Sequence, residues 1–109
     1  MKPSSSSALT EAVFYTLLSL QEPRHGYGIM QFVQELSNDR IQLAPGTLYG
    51  ALNSLVEKGW ICAVKESSGR KKEYIITELG YLTLETEISR LEELVKNGKQ
   101  WIGEKRHAN

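Results

Sequence analysis

The feature that most constrains this 109-residue chain lies near its end, where apolar residues recur in alternating steps of three and four. Tyr81, Leu84, Ile88, Leu91, Val95 and Ile102 follow that spacing, with Gly98 in the remaining position. It is the heptad seam of a helix that packs along another helix. Leu94 and Trp101, one heptad apart, add a flanking apolar row. Nothing later in the sequence can cover the seam, because Lys105 to Asn109 is a short polar tail. A second copy of the chain is therefore the expected cover, with Leu84, Ile88, Leu91, Leu94, Val95, Trp101 and Ile102 at the interface.

The preceding residues divide into short elements. Ser7 is expected to cap a first helix carrying Leu9, Val13, Leu17 and Leu20 at helical spacing, widened by Phe14 and Leu18 and ended by Pro23. After Arg24-His25-Gly26 a shorter helix places Ile29, Val33 and Leu36 on one side and stops in Ser37-Asn38-Asp39. Ile41-Gln42-Leu43 reads as a short strand. Pro45 then suits the first turn of a third helix, because it has no N–H to leave unpaired there. Leu48, Leu52 and Leu55 face a core, while Gly46, Tyr49, Gly50 and Asn53 fall on the opposite face. Lys58 and Gly59 end that helix.

Two strand-like runs, Ile61 to Lys65 and Lys72 to Ile76, flank a turn at Ser67-Ser68-Gly69. They form a β-hairpin with a basic tip of Arg70, Lys71 and Lys72. Thr77 caps the final helix, with Glu78 where the helix dipole favours an anion. The expected fold class is mainly α with a small β component (α+β): a winged helix-turn-helix over residues 1–77, followed by a dimerisation helix and tail over 78–109.

Composition narrows the function. The formal net charge is zero, yet residues 40–77 carry six basic and three acidic groups while the segments on either side are slightly acidic. A basic middle third is where nucleic acid would be met. The single cysteine, Cys62, cannot form an internal disulfide; in the run Ile61-Cys62-Ala63-Val64 it reads as a small core residue. With only His25 and His107 beside it there is no ligand set of metal-site spacing, and no cofactor is expected. No Gly-rich phosphate loop and no spaced nucleophile, histidine and carboxylate point to an enzyme. No run is apolar enough to span a membrane, and the N-terminus lacks the apolar core of a secretory signal, so a cytoplasmic location is expected.

The residues also resemble the PadR family of transcriptional regulators. The resemblance is carried by His25-Gly26-Tyr27-Gly28-Ile29, by Pro45-Gly46-Thr47-Leu48-Tyr49 with Leu52, Leu55 and Gly59, by Gly69-Arg70-Lys71-Lys72 with Tyr74, and by Thr77-Glu78-Leu79-Gly80. The helix lengths match the short subclass, with one C-terminal helix. The resemblance implies cytoplasmic dimers that repress promoters and often respond to small molecules, here a small hydrophobic or aromatic effector. Two positions depart from the pattern: Asn53 stands where a basic residue is usual, and Val56 where an acidic one is. The first removes a charge from the face expected to meet DNA and bears on base preference.

The residues expected to contact double-stranded DNA are Tyr27, Pro45, Gly46, Thr47, Tyr49, Asn53, Lys65, Arg70, Lys71 and Lys72. Thr47 and Tyr49 bring hydroxyls to a helix N-terminus, where free N–H groups suit phosphate. The basic hairpin tip is placed to neutralise phosphate beside a recognition helix. Trp60, beside the glycine cap, is expected at the edge of the core, and Trp101 in the dimer interface rather than an effector pocket. Winged helices also serve as protein-binding modules, so an interaction module without DNA affinity is the alternative.

Overall fold

A computed structural model describes residues 8–64 and 72–107. Its elements, in order, are α1 (Glu11–Ser19), β1 (Arg24–His25), α2 (Gly26–Leu36), α3 (Pro45–Glu57), β2 (Ile61–Val64), β3 (Glu73–Ile76) and α4 (Glu78–Arg106). The three strands form one antiparallel sheet in the order β1-β3-β2. Ile61 pairs with Ile76 and Val64 with Glu73, so the hairpin is the wing; Arg24 pairs with Tyr74 on the other side of β3. This is the winged helix-turn-helix with a long final helix expected from the sequence.

Helices α1, α2 and α3 close on a core of Leu17, Leu20, Ile29, Val33, Leu48, Leu52 and Leu55, joined by Ile61, Tyr74 and Ile76 of the sheet and Leu84 of α4. In α3 the three leucines are buried, while Gly46, Tyr49, Gly50 and Asn53 are exposed. Pro45 occupies its first turn, and Gly59, at φ +79°, turns the chain out of it in the left-handed conformation that glycine adopts without strain.

Several sequence expectations are corrected. The first helix is capped by Thr10, whose Oγ1 accepts from the N–H of Val13 at 3.1 Å; Ser7 lies outside the described residues, and Leu9 precedes the helix. Pro23 stands beyond a helix that has already stopped at Ser19. Ile41-Gln42-Leu43 is not a strand; the third strand is Arg24–His25. There His25 both pairs with β3 and caps α2, its Nδ1 accepting from the Gly28 N–H at 3.5 Å. Leu36 is exposed. Cys62 is exposed too, because β2 buries only Ile61 fully and turns its next residues outward.

The expected boundary at Thr77 is not a packing boundary, since Gly80, Leu84 and Glu87 of α4 are all buried. Thr77 holds the junction. Its backbone N–H donates to the Trp60 carbonyl at 3.0 Å, its hydroxyl donates to the Gly59 carbonyl at 2.6 Å, and its Oγ1 accepts from the Gly80 N–H at 3.1 Å. Helix α4 thereby lies so close to the start of the wing that a Cβ on Gly80 would overlap the Trp60 carbonyl oxygen and sit 2.6 Å from Ile76 Cγ1. A carbonyl held by Thr77 cannot yield. We expect Gly80→Ala to destabilise the fold by at least the 1–3 kcal/mol typical of overpacking, against a modest gain in helix propensity. Urea unfolding of the two proteins measures it; a variant as stable as the parent would mean that α4 can shift away from the wing.

The second tie between α4 and the rest is ionic. Glu87, 5% exposed, accepts from the backbone N–H of Leu9 at 3.3 Å and is paired bidentately with Arg90, at 2.8 and 2.6 Å. The Arg90 hydrogen bond is the main reason its carboxyl is held below the usual range, opposed by burial and helped by the Leu9 N–H. A carboxyl whose folded-state pKa is lowered contributes stability that is complete above its unfolded pKa and is lost as pH falls through the folded one. Thermal stability should therefore fall at acid pH, below the ordinary carboxylate range, with a smaller fall in Glu87→Gln. Glu11, lowered by Arg40 but about half exposed, is screened by solvent, so Glu11→Gln should leave the profile near that of the parent. Melting curves across the acid range check both variants.

Candidate nucleic-acid interface

Helix α3 presents its N-terminal end and one face to solvent. Pro45, Gly46, Thr47, Gly50 and Asn53 are exposed there, and Tyr49 is half-exposed at 48%. The buried leucines behind fix the roll of the helix, so this face is free for a ligand. The Ala44 N-cap makes no side-chain hydrogen bond, and the first-turn N–H groups of α3 meet no capping side chain. Unpaired N–H groups at the positive end of a helix dipole favour an anion such as a phosphate.

Tyr49 has a second task that its position on the polar face does not reveal. Its hydroxyl end lies over Gly26, the first residue of α2, where any Cβ would overlap it. Gly26 thus lets the ring bridge from α3 to α2. Tyr74 of β3 lies close by: its hydroxyl is pushed above its ordinary pKa by burial first and by the neighbouring Tyr49 second. The sequence signal for this bridge is the glycine in His25-Gly26-Tyr27, which spacing alone does not connect to Tyr49. Tyr27, 61% exposed, stands at the start of α2, where its hydroxyl accepts from Gln31 Nε2 at 3.4 Å.

The wing begins beside α3, against which β2 packs. Lys72 is exposed just before β3; Lys65, Arg70 and Lys71 lie outside the described residues. Among the described residues no cluster of three or more His, Cys, Asp or Glu side chains could hold a metal, and no helix is long and apolar enough to cross a membrane.

The residues expected at a dimer interface fall into two groups. Ile88, Leu91, Leu94, Val95, Trp101 and Ile102 are exposed, at 37–60%. Leu84 is not with them: at 3% exposed it belongs to the chain's own core, because the first turns of α4 pack under the winged domain. Its apolar neighbours Leu79 and Leu82, each 49% exposed, instead rim a groove of about 810 Å³ between α1, α3 and α4. Leu9, Val13, Leu55 and Trp60 line its apolar wall, and Lys58, Glu87 and Arg90 its polar one.

Three helices, a wing after the third and a solvent-facing α3 define a winged helix-turn-helix protein. The model of the transcriptional regulator PadR-like family matches residues 15–86. The chain belongs to that family, whose members are DNA-binding regulators of transcription rather than enzymes. It is 29% identical over 79 residues to the transcriptional regulator YqjI of Escherichia coli, covering 70% of this chain and 38% of that one. It spans two fifths or less of the curated relatives it matches. A PadR family transcription regulator from Clostridium difficile is similar in structure, with a TM-score of 0.65 and 27% identity, over 84% of this chain and 98% of that one. A transcriptional regulator from Clostridium thermocellum, 20% identical, shares the fold with a TM-score of 0.69 over 84% and 92% of the two chains.

Proposed function

We propose that this chain is a cytoplasmic, homodimeric repressor that binds a specific duplex DNA site and so occludes a promoter. The observation that carries the reading is the exposed face of α3, free at its N-terminus while its leucines anchor it from behind. In this reading Thr47, Tyr49 and Asn53 reach into the major groove, with Pro45 and Gly46 close to the backbone. Tyr27 contacts adjacent phosphate, and Lys65, Arg70, Lys71 and Lys72 grip phosphate from the wing. Two copies joined through α4 set the spacing of two half-sites. Release from DNA by a small hydrophobic or aromatic effector belongs to the same reading, and the apolar groove beside α4 is of a size to admit one.

Binding to generic and selected duplexes tests this directly. A DNA reader should hold non-specific duplex with a Kd of roughly 1–100 μM at physiological salt and tighten as salt falls. Thr47→Val and Asn53→Ala should weaken binding to a selected site, by about 1–3 kcal/mol where the group reads a base, with little change in melting temperature. A chain with no affinity for duplex at low salt would instead be an interaction module. Strong destabilisation by either substitution would place that face inside the fold.

A further inference from the structure

We propose that Tyr49 is a positioning residue, whose ring acts as a strut that sets α3 against the start of α2 and the wing, so that base and phosphate contacts can be made together. The inference rests on the DNA reading above and goes beyond the groove contact given there to Tyr49.

The leucines of α3 leave this task open. Leu48, Leu52 and Leu55 lie on one stripe and fix the roll of the helix about its axis, but one stripe does not fix its tilt. Among the described residues no hydrogen bond joins α3 to α2 or to the sheet, so side-chain packing must do so. Tyr49 stands about 100° round the helix from Leu48, near the N-terminal end. A contact there resists a tilt that the leucine stripe permits.

The ring makes that contact. Its hydroxyl end is folded over Gly26, where a Cβ would overlap the hydroxyl oxygen and stand 2.8 Å from Cζ. Gly26 is buried and begins a helix, a place where glycine is otherwise an unfavourable choice. Tyr74, 5% exposed, lies near enough for Tyr49 to add to the effect of burial in raising its hydroxyl pKa. It stands in the central strand, opposite Arg24 of β1 and Ala63 of β2.

Three parts of the proposed DNA surface therefore meet at one side chain. Tyr49 belongs to the helix that carries Thr47 and Asn53, its ring covers the residue before Tyr27, and its other neighbour is in β3, which follows Lys72 directly. Contacts spread over separate elements engage a duplex together only when the elements are held at the spacing the duplex requires.

Binding of the full-length chain to a selected and a generic duplex, at several salt concentrations, tests the assignment. Tyr49→Ala should weaken both duplexes, by about 10-fold or more, and lower the slope of log affinity against log salt by roughly 1–2 although every cation of the wing is kept. A residue that only read a base would weaken the selected duplex alone and leave the slope unchanged. Tyr49→Phe keeps the ring and should keep the slope. Gly26→Ala removes no proposed DNA contact, yet should reproduce the losses of Tyr49→Ala by displacing the ring. Added to Tyr49→Ala it should cost nothing more, since the atoms it strikes are gone. Melting curves show which variants are folded at the assay temperature. If Gly26→Ala alone is not, recovery of the fold in the double variant reports the same overlap, and Tyr49→Ala, which only removes atoms from a half-exposed site, still supplies the slope. A chain without affinity for any duplex would overturn the DNA reading and this inference together. An unchanged slope in Tyr49→Ala, or equal losses from Gly26→Ala with and without the ring, would overturn the strut alone.

Discussion

Replacing Leu91 and Val95 together by glutamate is expected to give a folded monomer whose affinity for its operator falls by roughly 10²- to 10⁴-fold, the gain that linking two readers supplies. Both side chains are exposed in the protomer, at 37% and 53%, and neither belongs to its core, so the winged domain loses nothing when they change. Across a two-fold interface, however, the four carboxylates would be brought together while being desolvated. Burial and like-charge repulsion both oppose association. The weaker binding follows from geometry. Two recognition helices reach successive major-groove faces, about 34 Å apart, only when the dimer fixes their separation. Sedimentation equilibrium with parallel operator binding measures both halves of the expectation. A double variant that remains dimeric with full affinity would remove α4 as the dimer element.

The other large effect belongs to the wing. Removing one cation that neutralises a phosphate should reduce the slope of log affinity against log salt by about 0.9, so Arg70→Ala, Lys71→Ala and Lys72→Ala together should flatten it by roughly 1–3 units. For a fourfold change in salt this alters the fall in affinity by up to about 40-fold. Selected and generic duplex should be affected nearly alike, because phosphate carries no direct sequence information. Titrations at several salt concentrations give the slope. An unchanged slope would place the wing away from DNA.

Much of the architecture can be read from residue order because its signals are local. Pro45 at the start of α3, its leucines at i, i+4 and i+7, Gly59 after it and Thr77 before α4 each act within one turn of chain, and each stands where expected. What cannot be read this way depends on contacts between distant residues. The strand Arg24–His25 has only two residues and exists because Tyr74 and Glu73 pair with it; no periodicity can show in so short a run. Glu87 reads as one more surface charge of a polar helix, yet Leu9, far away in sequence, brings it a backbone N–H and covers it. Gly80 reads as part of a motif, and its physical reason is the Trp60 carbonyl above it.

The candidate site shows the same division. The solvent face of α3 follows from helical spacing, whereas the bridge from Tyr49 to Gly26 needs two helices to be docked. The exposure of Cys62 is hidden from the sequence, because an apolar neighbourhood does not say which side of a two-faced strand is covered. Leu84 and Leu91 occupy equivalent heptad positions, yet the winged domain covers one and leaves the other exposed.

Selection of bound fragments from a random pool of duplex DNA tests the central claim most directly, since it reports affinity, sequence preference and symmetry at once. A two-fold dimer reading DNA through α3 predicts enrichment of an inverted repeat whose half-site centres lie about one helical turn, roughly 10 base pairs, or a multiple of it apart. A pool that emerges unenriched, or one that converges on a single half-site without symmetry, would contradict it.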